Sequence, residues 1–213
     1  MKRWMWMTLA AVVVVGAGVT LVALPGGQEW TTTSPEAAAE YEAGWAAALK
    51  LYKDEAAEHW KRAAELDPDF VVAKLFSVDS VMHEDKEKGE ALFEEVMAAD
   101  TSVLTPRERF FIERARAYHE ERRQDVPKLI DEFLAKYPND TFVLNEKANR
   151  AFSDGRFDEA ERIYEKLVNI DPMWVVAYNQ LGYIYMSRGR FAEAEERFTS
   201  YRYVVPDLSL IHI

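Results

Sequence analysis

Histidine followed by glutamate occurs twice in the chain, at His83-Glu84 and His119-Glu120. A zinc-binding helix built on that pair needs a second histidine one turn later, so that both imidazoles reach one ion. Glu87 and Arg123 stand at those positions. Both pairs therefore read as solvated residues on or near helix ends. His59 lies beside Trp60 with no histidine or carboxylate cluster near it in sequence. Gly16, Gly18, Gly26 and Gly27 are not followed by the Gly-Lys-Ser/Thr of a phosphate loop, and no Gly-x-Ser-x-Gly is present. The chain has no cysteine, which excludes disulfides, thiolate metal sites and a cysteine nucleophile. Adjacent carboxylates such as Glu94-Glu95 and Glu195-Glu196 read as solubilising charge on helical faces. No nucleophile stands at a recognisable spacing from a base. The expectation is a protein that is not an enzyme, with no cofactor, metal or small-molecule substrate.

The residue types left over are suited to gripping a peptide. Asn145, Asn149 and Asn179 carry amides that donate to and accept from a peptide backbone at once. Phe111, Tyr118, Phe152, Tyr183 and Met186 would add apolar grip, with Phe142 and Val176 at matching phases. The competing reading is that aromatics at helical spacing belong to a core.

These residues sit inside a phrase that the chain says twice. Slid by 34 residues, Gly155-Arg156-Phe157 falls on Gly189-Arg190-Phe191, Ala160 on Ala194, Tyr164 on Phe198 and Pro172 on Pro206. A fixed period of this length denotes stacked helical pairs whose function lies on a surface. Counting the period outward places repeats near 37–70, 71–106, 107–140, 141–174 and 175–208. Pro35 and Glu36 mark the start of the first helix, and Thr105-Pro106-Arg107-Glu108 forms a clear N-terminal cap.

The residues at these phases resemble the tetratricopeptide repeat, a helix–turn–helix unit. The first repeat offers Gly44, Ala56, Trp60, Ala63 and Pro68, and the fourth Ala148, Ala160, Tyr164 and Pro172. The fifth matches best, with Tyr178, Leu181-Gly182, Tyr185, Ala194, Phe198 and Pro206. Small residues at a helix crossing let two backbones approach, and proline ends the second helix. The middle repeats depart from the pattern: Val78 and Arg114 stand where a small residue is expected, and Val126 replaces an alanine. The resemblance implies an all-α, right-handed superhelical solenoid of about five repeats, with the first helix of each pair lining a concave face. It also names a subset that clamps acidic peptide C-termini with inward Lys, Arg and Asn. Lys147 and Arg150 are expected to point elsewhere, so that ligand is not predicted.

Ahead of the array, Lys2 and Arg3 precede 21 uncharged residues, Trp4 to Leu24. A helix of that length rises roughly 30 Å, enough to cross a bilayer core. Residues 1–24 are expected to be a signal anchor, with a cleaved signal peptide as the alternative, and 25–36 a linker. The flanking cations keep the N-terminus cytoplasmic and the repeats on the exported side. Net charge is −11 overall, and −13 once Lys2 and Arg3 are set apart, so nucleic acid is not expected as a partner. Neutral or basic peptide segments are favoured instead. The tail, 209–213, lacks the polar closing helix of a solenoid, and the expectation is that the chain is truncated there. The sequence thus points to a scaffold that binds a protein or peptide at a membrane. The alternative is a regulatory or sensory arm of a larger signalling or envelope-assembly system.

Overall fold

The computed structural model describes residues 21–23 and 29–205. Five helical hairpins follow one another: α1 (Pro35–Leu49) with α2 (Lys53–Leu66), α3 (Val71–Glu84) with α4 (Lys86–Ala98), α5 (Pro106–His119) with α6 (Val126–Lys136), α7 (Thr141–Ser153) with α8 (Phe157–Ile170), and α9 (Val175–Ser187) with α10 (Phe191–Val204). Each hairpin leans on the next, which makes a helical solenoid.

Two short antiparallel strands precede the helices, β1 (Leu21–Ala23) and β2 (Glu29–Thr31), with Val22 opposite Trp30. Leu21–Ala23 lies within the run, Trp4 to Leu24, expected to be a membrane-crossing helix, and these three residues are strand. Pro25, Gly26 and Gly27 oppose helix after it, and Val22, Trp30 and Thr31 are strand-formers. Residues 4–20 of the run, and the tail 209–213, lie outside the described residues. Among the described residues no helix is long and apolar enough to cross a membrane.

Local chemistry sets where helices start. Ser34 accepts from the Ala37 N–H at 3.0 Å, Asp85 from Lys88, and Asp140 from Val143. Thr105 and Glu108 form a reciprocal capping box at the start of α5. The turns inside the hairpins share one device. Gly155 and Gly189 have φ of +74° and +72°, the left-handed region that glycine enters without penalty. At the same repeat phase Leu51 and Glu121 take φ of +64° and +56°. The repeated Gly-Arg-Phe is thus a turn, and hairpins one and three make the same turn with a side chain in place.

The crossings explain the small residues. A Cβ on Gly44 would sit 2.4 Å from the Trp60 indole, and one on Gly182 2.4 Å from the Phe198 ring. In the second hairpin Val78 occupies that phase, and the close approach moves to the partner helix. A Cβ on Gly89 of α4 would lie 2.4 Å from the Met82 Cα of α3. The third hairpin has neither solution: Arg114 turns away to Glu146 of α7 at 3.0 Å.

One aromatic cluster joins the first four hairpins. Trp45 of α1 meets Phe76 of α3, Phe111 of α5 and Phe142 of α7 at ring-centroid distances of 4.9, 5.9 and 4.4 Å. The Phe76 and Phe142 pairs are edge-to-face and the Phe111 pair is stacked, and both arrangements add to simple area burial. Within the stretch expected to be a linker, Trp30 is fully buried against Tyr41, at 4.6 Å. Thr31 N–H donates to the fully buried Glu108 carboxylate at 2.7 Å. Thr33 N–H donates to Asp67 at 3.0 Å. Arg107 reaches Asp140 at 2.6 Å and lies over both the Trp30 and Phe142 rings.

Candidate functional site

The eight residues expected to line a groove divide into five situations. Phe111, with Phe142, is buried in the inner aromatic cluster and offers no free surface. Asn149 is half-buried, and its Oδ1 accepts from the Tyr164 hydroxyl at 2.7 Å. That bond ties α7 to α8, and burial raises the Tyr164 hydroxyl well above the usual phenol range. Asn149 therefore locks a hairpin, and its carbonyl is already satisfied.

Asn145 and Asn179 differ from it, although all three were expected to act alike. Each has a buried Oδ1 with no hydrogen-bond partner. They occupy the same phase, 34 residues apart, on α7 and α9. A buried acceptor left unpaired costs about 1–3 kcal/mol, and because each oxygen is closed off from solvent an incoming N–H meets it only if the amide turns outward.

Phe152, Tyr183 and Met186 come together. With Phe157, Ile184 and Ser187 they line an apolar cavity of ≈ 420 Å³ between the ends of α7 and α9. Tyr183 packs edge-on against Phe198 at 5.6 Å, and Phe152 against Phe157 at 5.5 Å. Partial burial raises the Tyr183 hydroxyl above its ordinary value. Met186 and Phe157 stay 45% and 39% exposed, so the cavity opens to solvent. The turn phenylalanine Phe191 is 69% exposed. Exposed apolar side chains gathered as Met186 and Phe157 are at this cavity mark a contact surface more often than a monomer's ordinary skin.

Tyr118 belongs to a second cavity, of ≈ 530 Å³, between α3, α4 and α5, with Phe76, Met82, Phe93 and Arg114 in its wall. Sequence reasoning did not foresee its surroundings. Arg114 and Arg123 lie over the Tyr118 ring at 5.3 and 5.5 Å, and Arg150 donates to its hydroxyl at 3.2 Å. The expectation that Arg150 points away from the inward residues is corrected. It sits one residue past Asn149, a rotation of about 100° on the helix, and its long stem spans that difference. Arg114 stands four residues before Tyr118, a same-face spacing that could have signalled the pair.

The His-Glu pairs do not assemble a metal site. Among the described residues no group of three or more His, Cys, Asp or Glu could hold an ion. His119 packs against the Phe93 ring at 4.9 Å. His59 does have partners in space, with Nδ1 2.6 Å from Glu40, which Arg62 also reaches at 3.0 Å. These contacts hold the Glu40 carboxyl below its usual range.

The last two hairpins are tied to each other by ion pairs. Arg188 pairs with Asp158 and Glu161, Arg190 with Glu161 at 2.8 Å, and Arg197 with Glu165 at 3.1 Å. The Tyr185 hydroxyl donates to Glu165, and burial together with that carboxylate pushes it up to about 12.

Residues 175–198, the span from α9 into α10, match the family model for the tetratricopeptide repeat. The chain carries a tetratricopeptide repeat. No curated protein matches the chain significantly in sequence. Among solved structures it is similar to MamA, at 20% identity over 82% of this chain and 97% of that one, with a TM-score of 0.41. YrrB, described as a tetratricopeptide-repeat protein with an unusual peptide-binding site, is 15% identical over 79% and 86%, with a TM-score of 0.41. A monomeric mutant of IFIT1 with Gppp-AAAA is 20% identical over 78% and 40%, with a TM-score of 0.48.

Proposed function

We propose that this tetratricopeptide-repeat chain is a non-enzymatic scaffold that binds a protein or peptide through the inner side of its last two hairpins. The observation that carries the reading is the open apolar cavity of Phe152, Tyr183 and Met186, on the same two inner helices as the unpartnered carbonyls of Asn145 and Asn179. An apolar side chain would enter the cavity, and the two amides, turned outward, would accept backbone N–H groups. Lys2, Arg3 and the apolar residues that follow them from Trp4 support tethering to a membrane with the repeats exported.

The test is crosslinking of the full chain in its native membrane. Met186→Glu combined with Tyr183→Ala is expected to remove the captured partner, and Asn145→Ala with Asn179→Ala to reduce it. Circular dichroism should show the helices unchanged in both variants. Asn149→Ala is a control for stability, since its amide serves Tyr164. Identical capture by all variants would sink the reading. Protection of the repeats from protease added to sealed inside-out vesicles would support their export, and their digestion would refute it.

A further inference from the structure

The ring of Tyr118, which lines the second cavity, is a meeting point for cations. The chain is acidic, at −11. Yet Arg114, Arg123 and Arg150 converge on one phenol ring. The carboxylates that face this group are few. Glu146 is engaged by Arg114 at 3.0 Å, and Asp79 lies in the cavity wall. Asp131 is held by Lys147 at 2.6 Å, and Glu120 and Asp125 by Arg122 at 2.7 and 2.8 Å. Among the described residues neither Arg123 nor Arg150 has an ion-pair partner. Two guanidinium groups held near each other repel, and a bound carboxylate would relieve that repulsion through charge-assisted, planar hydrogen bonds. The cavity that Tyr118 lines is walled also by Phe76, Met82 and Phe93, with room for a large side chain.

We infer that this is a second peptide subsite of the same inner face, and that its ligand is an acidic–apolar segment of a partner protein. A bulky apolar side chain enters between Phe76, Met82 and Phe93. The carboxylate of a neighbouring residue is held by Arg123 and Arg150 above Tyr118. The inference rests on the groove reading and reverses the preference for basic partners that net charge suggests. Local charges within a few ångströms decide the bound state, whereas net charge acts chiefly on the rate of approach.

The experiment titrates the full chain with two labelled decapeptides, followed by fluorescence anisotropy. One reads Ser-Gly-Ser-Phe-Asp-Leu-Asp-Gly-Ser-Gly, and the other has Lys in place of both Asp. The acidic peptide is expected to bind about tenfold more tightly than its basic twin. Arg123→Glu with Arg150→Glu should reverse that order. Arg162→Glu with Arg202→Glu changes net charge equally, away from the cavity, and should leave the order as it is. Equal binding of the two peptides, or an order that survives Arg123→Glu with Arg150→Glu, overturns the inference. So does binding of neither peptide. In each of these cases, loss of partner capture by Met186→Glu with Tyr183→Ala would leave the groove reading standing, and unchanged capture would end both.

Discussion

Single residues of the same type take different parts here because their neighbours differ. Asn149 is bound to Tyr164 and fastens a hairpin, while Asn145 and Asn179 keep buried carbonyls with nothing to accept. Their identity and phase were legible in the sequence. What was not legible was the tyrosine across the hairpin that satisfies one of the three. Glu42 shows the same dependence on surroundings. It accepts from the Trp30 indole N–H, and burial, the largest cause, raises its pKa above the ordinary carboxylate value. A carboxyl whose folded pKa lies above its unfolded value binds more protons when folded. Stability therefore falls as pH rises from the unfolded pKa through the folded one, and the full penalty remains at neutrality. Glu42→Gln keeps an acceptor for Trp30 and removes the charge. The variant is expected to melt slightly above the parent at pH 7, with the difference vanishing below about pH 4, near the ordinary glutamate pKa. A melting series across that range checks it, and a difference independent of pH would contradict the argument.

Elements repeat more faithfully than their residues do. The turn after the first helix of a hairpin is left-handed at Leu51, Glu121, Gly155 and Gly189 alike. The sequence shows the glycines and hides the other two, because a turn held by packing on both sides can force a side chain into that region. Crossings behave similarly. Val78 looked like a lost small residue, but Gly89 on the facing helix supplies the close approach instead. A motif written for one helix cannot register a role that moves to its partner. Arg114 has no such compensation, and its release from the crossing is what places a guanidinium over Tyr118. The cost of the forced turn is measurable. Left-handed φ in a residue with a Cβ is unfavourable by about 1–2 kcal/mol, partly offset by the lower chain entropy of that residue when unfolded. Glu121 is exposed and has no packing to lose. Glu121→Gly is expected to stabilise the fold by about 1 kcal/mol in chemical denaturation. An equal or lower midpoint would show that the turn is not strained.

At the scale of the molecule, the array departs from the nearest-neighbour behaviour of solenoids. In a quasi-one-dimensional stack each unit touches only the next, and terminal units fray independently. Here Trp45 of the first hairpin reaches Phe142 of the fourth at 4.4 Å, with Phe76 and Phe111 joining the same cluster. Trp30 adds a strand residue to that interior, and Arg107 spans the Trp30 and Phe142 rings. The period of 34 residues predicts stacking along the chain, but no periodicity reports how far the stack curls inward. That is why Phe111 read as groove lining and proved to be core. Beside that filled interior the Tyr118 cavity and the Phe152–Met186 cavity stay open. The curl also couples hairpins distant in sequence. Trp45→Ala removes ring contacts to α3, α5 and α7 together, at a cost of roughly 3 kcal/mol for a large aromatic. If the cluster acts as one body, hydrogen exchange should accelerate in α7 as much as in α1, while α9 and α10 keep their protection. Exchange that accelerates only in α1 and α2 would mean that the stack is one-dimensional after all, with the Trp45–Phe142 contact contributing little to holding the hairpins together.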